Sequence, residues 1–263
     1  MDNITQHFRP EEAPFVEEAT GWIQEVRDQN RFVLTNFLNP RERFILTTLV
    51  NRLDDIKAQS FGGYPNAEMS RTIIFPDYFV PEKTDFNITL LEIQYPIKFA
   101  TIHHRNVLGT LANMGVERGT FGDIITDGQT WQFFVKTEMV DFFLTQVTKI
   151  GNIKVRLLDQ SLDAVVEPEN DWESVGTTVA SLRIDSLVAE GFHLSRNHAK
   201  LLLEERKVTL NWKLHQRPDF ELVANDMISV RGYGRIRLDE VEGQTKKGKT
   251  RILISIINSK KKK

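Results

Sequence analysis

The chain contains no cysteine, which excludes disulfides, thiolate metal sites and cysteine nucleophiles. It also lacks any uninterrupted apolar run near the roughly 20 residues that cross a bilayer, so no membrane insertion is expected. The opening MDNITQHFRPEEAPF has neither the basic start nor the apolar core of a secretory signal, and a cytoplasmic location is the expectation. No Walker loop, GxGxxG, HExxH or nucleophile elbow occurs. No catalytic residue, cofactor or metal is therefore assigned.

Net charge is scarce too, at a formal -2 over 263 residues. That sum conceals a segregation. Residues 182–263 hold 18 Lys or Arg against 10 Asp or Glu, whereas the residues before them hold 16 against 26. An acidic body with a basic end is expected where one module meets a polyanion and the rest does not. The basic end points to nucleic acid, and the acidic regions are left for a protein partner.

Periodicity divides the chain. Residues 1–70 read as a helical region: PEEAPFVEEATGWIQEVRDQ carries Phe15, Ala19, Trp22, Ile23 and Val26 at helical spacing, and Asn39-Pro40 opens a second helix. Residues 71–162 change period. Counting from the strand at 88–95, the order β-α-β-β-α-β specifies a ferredoxin-like sheet with both helices on one face. RNA recognition motifs share that arrangement with enzymes and adaptors, so it does not decide function. Asp127-Gly128 marks a hairpin, and Asp123 and Asp127 read as turn residues rather than as paired carboxylates. In WQFFVK, alternation sends Trp131 and Phe133 to one face and Phe134 to the other. Residues 163–180 read as an acidic connecting segment, 181–259 as a small C-terminal domain with a basic extension, and 260–263 as a disordered lysine tail. The whole is α+β.

The stretch HLSRNHAKLLLEERKVTLNWK, residues 193–213, combines a core stripe with repeated cations. Ser195 caps a helix in which Ala199, Leu202 and Leu203 face inward, leaving Arg196 and Lys200 together outside. Ser181 is placed to cap the preceding SLRIDSLVAEG. KVTLNWK reads as one short strand, and DMISVRGYGRIRL resumes strand character.

The segment LRIDSLVAEGFHLSRNHAKLLLEERKVTLNWK, followed by NDMISVRGYGR, resembles the small RNA-binding domain named after ribosomal protein S-four, over about residues 181–235. One departure stands out: Arg206 occupies the turn where that domain normally has glycine. A positive φ there costs a non-glycine residue roughly 1 kcal/mol. The full chain is similar to the YlmH family of bacterial RNA-binding proteins, through HHRNVLGTLANMGVERGTFGDI at 103–124 and RGYGRIRLDEVEGQTKKGKTRI at 231–252. The resemblance implies a helical start, an RNA-recognition-motif-like middle and a terminal S-four-type domain. It further implies association with the large ribosomal subunit, extending to peptidyl-tRNA left after stalled translation, and a gene-neighbourhood link to cell division.

The residues expected to bind structured RNA, rRNA or tRNA, follow from charge and position. Arg183, Arg196, Lys200 and Lys207 are set for backbone phosphates, with Arg206, Asn211 and Lys213 beside them. RGYGR adds Arg231, Tyr233 and Arg235, and TKKGK adds Lys246, Lys247 and Lys249. The competing readings are plain: cations that only solubilise a small domain, an Asn211 that satisfies its own turn, and a Tyr233 that packs in a hairpin. The leading function is a noncatalytic ribosome-binding factor active in rescue or quality control of stalled translation. The alternatives are a cell-division adaptor and an RNA-modifying enzyme with its centre in the middle domain.

Overall fold

The computed structural model describes residues 8–168 and 172–259, so the lysine tail lies outside the described residues. The chain forms two compact units, Met1–Glu169 and Asn170–Lys263.

In the first unit, α1 (Ala13–Gln29) buries Val16, Ala19, Ile23 and Val26 on one stripe, with Phe15 and Trp22 packed edge to face at its margin. Strand β1 (Val33–Leu38) follows, then α2 (Pro40–Val50), β2 (Ile56–Phe61) and β3 (Ser70–Pro76). Helix α2 starts where Asn39-Pro40 predicts it. The Asn39 side chain accepts from the Glu42 amide at 3.0 Å and Glu42 accepts from the Asn39 amide at 2.9 Å, a reciprocal cap. The helical start expected for residues 1–70 holds the two helices together with the strands β1 and β2, and a boundary at residue 70 falls at the start of β3. Every residue of β3 is buried, as befits a central strand, and β1 and β2 are its two antiparallel partners in the order β1-β3-β2. The polar alternation of IKAQSF hid β2, because only one of its ends reaches the core.

The middle of this unit adds β4 (Ile88–Gln94), α3 (His104–Ala112), β5 (Phe121–Thr126), β6 (Trp131–Lys136) and α4 (Val140–Gln146). The short pair β7 (Lys149–Ile150) and β8 (Ile153–Lys154) then leads to β9 (Arg156–Gln160). The main sheet runs β5-β6-β4-β9, all antiparallel. That is the ferredoxin-like order, with the first and third strands at the centre. Leu91, Ile93, Phe133 and Leu157 pack beneath Val107 and Leu111 of α3 and Phe143 of α4, placing both helices on one face.

The opposite face, which RNA recognition motifs leave open for base stacking, is covered here. Phe134 is fully buried, its ring stacked 5.3 Å from Tyr64. Gly63 passes so close that a Cβ would sit 2.2 Å from the Phe134 ring. Gln132 donates to the Ala164 carbonyl and accepts from the Val166 amide, both at 2.9 Å, which fastens residues 164–166 over the same face. Asp127 is the turn residue expected, accepting from the Gln129 and Thr130 amides at 2.9 and 2.7 Å. Asp123 is not. It lies at a bulge in β5 and accepts from the Tyr64 hydroxyl and the Glu68 and Met69 amides, clamping the 64–69 loop to the sheet. Burial and the charge of Glu68 push its carboxyl up to about 6 against the pull of those three donors.

The second unit begins with β10 (Glu173–Val179), α5 (Ile184–Gly191), α6 (Arg196–Glu204), β11 (Val208–Leu210) and β12 (Lys213–Leu214). It ends with β13 (Met227–Val230), β14 (Gly234–Gln244) and β15 (Thr250–Asn258). These strands form one sheet in the order β10-β15-β14-β13-β11-β12. Part of the supposed connector 163–180 is thus an edge strand, in register with β15 from Glu173↔Ile256 to Val179↔Thr250. Its exposed position explains why it reads as polar and irregular. Leu187, Val188, Leu202 and Leu203 of the two helices pack on Val208, Ile228, Ile236 and Ile254 of the sheet.

Candidate nucleic-acid interface

Helix α6 forms as its sequence dictates. Ser195 accepts from the His198 amide at 3.2 Å, and Ala199, Leu202 and Leu203 are buried. Helix α5 is capped differently from expectation, because its N-cap is Arg183 and not Ser181. The consequence is the central feature of the site. Asp185, in the first turn of α5, is fully buried, and two guanidinium groups close over it. Arg183 binds it through Nε and Nη2 at 3.1 and 3.0 Å; Arg196 binds it through the same two nitrogens, each at 3.3 Å. Burial alone would raise the Asp185 carboxyl, but hydrogen bonds from Arg183 and then Arg196 outweigh it and hold the group below its ordinary value.

Both arginines stand at helix N-termini, where the helix dipole disfavours cations. Asp185 compensates for that. Each guanidinium uses only part of its five-donor fork on the carboxylate, and the side chains remain 31% and 46% exposed. Two fixed, half-exposed guanidiniums with unspent donors are chemically suited to an anion. The first amides of α5 are not part of it, since those of Ile184 and Asp185 donate to the Phe220 and Pro218 carbonyls at 2.9 and 3.3 Å. Lys200 lies one turn beyond Arg196 on the same flank of α6, separated by about 40° of helical rotation.

The end of α6 continues this charge. Arg206 has φ 58°. Its amide donates to the Leu203 carbonyl and the Lys207 amide to the Leu202 carbonyl, both at 3.0 Å. These are the paired bonds of a Schellman turn, in which glycine is usual. The departure seen in the sequence is thus borne by the backbone, and the exposed Arg206 side chain leaves from a left-handed residue. Lys207 pairs with Glu205 at 2.6 Å, and its carbonyl accepts from the Arg231 amide at 2.9 Å, which brings the exposed Arg231 to this end of the helix. Arg206→Gly is expected to stabilise the unit by about 1 kcal/mol, raising its Tm by roughly 4–8 °C, while removing a cation and weakening RNA binding. Thermal unfolding and RNA titration of the same variant check both signs.

The other candidates do not join that cluster. Asn211 is spent inside the fold: its Nδ2 donates to buried Asp226, its Oδ1 accepts from the Met227 amide, each at 2.9 Å. With Trp212 it forms a two-residue turn at φ 47° and 64°, so KVTLNWK is a tight hairpin rather than one strand. Tyr233 is drawn to the opposite flank of α6, its hydroxyl 3.0 Å from His198 Nε2 and its ring 5.7 Å from Phe192. Lys246, Lys247 and Lys249 occupy the tip of the β14–β15 hairpin. The strands pair from Gly234↔Asn258 to Gln244↔Thr250, which sets that tip roughly 30 Å from the RGYGR turn.

Arg235 points to the sheet face away from the helices, since its neighbour Ile236 is in the core. It lies 5.6 Å from the Trp172 ring and 5.7 Å from the Trp212 ring. Arg237, one pleat further, is 5.2 Å from Trp172 and bonded to Asp239. Lys213 is exposed beside this strip, next to Trp212. Trp172, Trp212, Arg237 and Asp185 escape a reading by local charge. The alternation of Arg235 with Arg237 was the available signal, as was the Arg-x-Asp spacing of Arg183 and Asp185.

Two helices on a small antiparallel sheet, with arginines pinned at the helix N-termini, define an S-four-type domain carried by an α+β body. The comparisons agree with that class. Residues 182–228 match the "S4 domain", residues 81–164 the "Putative RNA-binding domain in YlmH", and residues 11–79 "YlmH, N-terminal". "Ribosome-associated protein quality control protein P2" of Bacillus subtilis (strain 168) is 38% identical over 252 residues, covering 96% of this chain and 98% of the relative. The solved structure of "Cell division protein ylmH from Streptococcus pneumoniae" superposes with a TM-score of 0.53 at 34% identity, over 61% of this chain and 98% of that one. The chain belongs to the YlmH family.

Proposed function

We propose that this protein is a noncatalytic RNA-binding factor that associates with the large ribosomal subunit and acts in quality control of stalled translation. The observation that carries the reading is the buried Asp185 with Arg183 and Arg196 fixed over it, extended by Lys200, Arg206 and Arg231. Preorganised cations lose little side-chain entropy on meeting a phosphate, and a rigid helix face suits folded RNA, which is recognised largely by shape and backbone. The Bacillus subtilis relative, described as ribosome-associated, supports the ribosome as the place of action. The Streptococcus pneumoniae relative is described as a cell division protein. An adaptor role would use the acidic first unit, and partner capture that survives RNase would favour it.

Co-sedimentation with purified ribosomal subunits over a salt series tests the proposal. Lys200→Glu combined with Arg231→Glu, two cations outside the Asp185 cluster, is expected to weaken association with the large subunit by tenfold or more, at about 1.4 kcal/mol per factor of ten. Deleting Lys246–Lys249 should cost less, because a loop tip is ordered on binding. Unchanged sedimentation of the double variant would reject this surface.

A further inference from the structure

The middle module closes the sheet face on which RNA recognition motifs stack bases, yet another of its edges carries charge that does nothing for the fold. In the β7–β8 hairpin, Lys149 and Lys154 are direct cross-strand partners and both are exposed. Like charges in that relation are destabilising. Arg156 follows at the start of β9. With Lys154 it lines a groove of about 530 Å³, whose other walls include Tyr95, Pro96, Ile97 and Thr130. The one carboxylate on the wall, Glu92, accepts from Gln160 at 3.4 Å.

The chain leaving the groove is Ile97-Lys98-Phe99, with Ile97 60% and Phe99 89% exposed. A ring so exposed contributes almost no burial to the fold. Among the described residues, Lys98, Lys149, Lys154 and Arg156 make no ion pair, although residues 1–181 are acidic overall. Unpaired cations and a bare aromatic ring, carried by segments that meet at this groove through Ile97, Lys154 and Arg156, suit single-stranded nucleic acid, which is held by base stacking and a positive track for its backbone.

We propose that this edge binds an unpaired stretch of RNA, one base stacking on Phe99 and the adjoining phosphates crossing Lys98, Lys149, Lys154 and Arg156. The inference deepens the RNA-binding reading above and adds a contact independent of the Asp185 cluster. A polypeptide partner is disfavoured because an acidic peptide would use the cations and leave the ring idle.

The test uses the full chain carrying Lys200→Glu and Arg231→Glu, with an eight-nucleotide oligouridylate containing 4-thiouridine as probe. Photocrosslinks are expected in the peptide that holds Phe99. Phe99→Ala should weaken probe binding about tenfold without changing its salt dependence, since stacking is uncharged. Lys154→Glu with Arg156→Glu should weaken it further and flatten the log–log salt slope by about 1.4, from roughly 0.7 per phosphate contact. All three substitutions are at exposed positions, and circular dichroism verifies folding. Crosslinks confined to other peptides, equal affinity in both variants, or displacement of the probe by poly-glutamate but not by unlabelled RNA would overturn the proposal. Probe binding here, with a wild-type chain that fails to sediment with the large subunit, would sink the ribosomal reading alone; sedimentation of the wild-type chain without probe binding here would sink this one alone.

Discussion

Replacing Arg183 and Arg196 together by Gln is expected to destabilise the C-terminal unit, and adding Asp185→Asn is expected to restore the fold without restoring RNA binding. Asp185 is fully buried, and the two guanidiniums are its charge partners. Without them an uncompensated carboxylate remains, costing about 2–3 kcal/mol, at the low end for a broken buried pair because the arginines themselves are half-exposed. Asn at 185 removes the charge and most of that cost. The triple variant should therefore melt near the wild type yet bind large subunits on the order of a hundredfold more weakly, having lost two charge-assisted phosphate donors. Urea unfolding and co-sedimentation of the three proteins separate the two effects. If the triple variant binds like wild type, these arginines only hold the domain together. Reversing Arg196 to Glu would confuse the two roles, since it sets a second carboxylate against the first.

The same pair makes a pH statement with a definite sign. Asp185 titrates lower folded than its ordinary 3.8, so the stability it contributes is present above about pH 4 and is lost as pH falls through the depressed value. The triple variant should lack that acid-side loss.

Gly234→Ala should have the larger effect on stability. The residue has φ 139°, and a Cβ there would sit 1.8 Å from the Ile257 carbonyl oxygen, a backbone atom of the adjacent β15. No rotamer relieves that clash. Separating β14 from β15 breaks the centre of the sheet on which both helices rest. A loss above about 3 kcal/mol is expected, lowering the unit's Tm by more than roughly 15 °C. Gly232 is the contrast: nothing lies within 4 Å of its Cβ position, though its φ is 84°. Its alanine variant should suffer only backbone strain of about 1 kcal/mol. Calorimetry on the two single variants decides it, and equal losses would show that conformational freedom, not close approach, selects glycine in RGYGR.

What was legible in the sequence is local in origin. Ser195, the leucine stripe of α6, the Asn39-Pro40 cap and the Asp127-Gly128 turn each act within a few residues, so their consequences are written in adjacent letters. The ferredoxin-like order was equally readable, because each of its elements keeps a clear period. Strand β2 was not, since its partner β3 supplies the burial that its own pattern lacks. Asn211 and Tyr233 illustrate the same limit at the site. Their chemistry fits RNA, but Asp226 and His198, 15 and 35 positions away, claim it first.

By itself, then, the chain determined that a basic, leucine-packed C-terminal domain would present Arg196 and Lys200 on one side of a helix, because helical periodicity converts spacing into direction. Only the tertiary structure decided which cations lie together. It placed a buried carboxylate under Arg183 and Arg196, sent Arg235 to the far side of the sheet and the three hairpin lysines to its distant tip, and closed the middle module's stacking face with Tyr64 and Gly63. Each of those outcomes depends on who is buried against whom, and burial is a property of contacts between residues far apart in the chain.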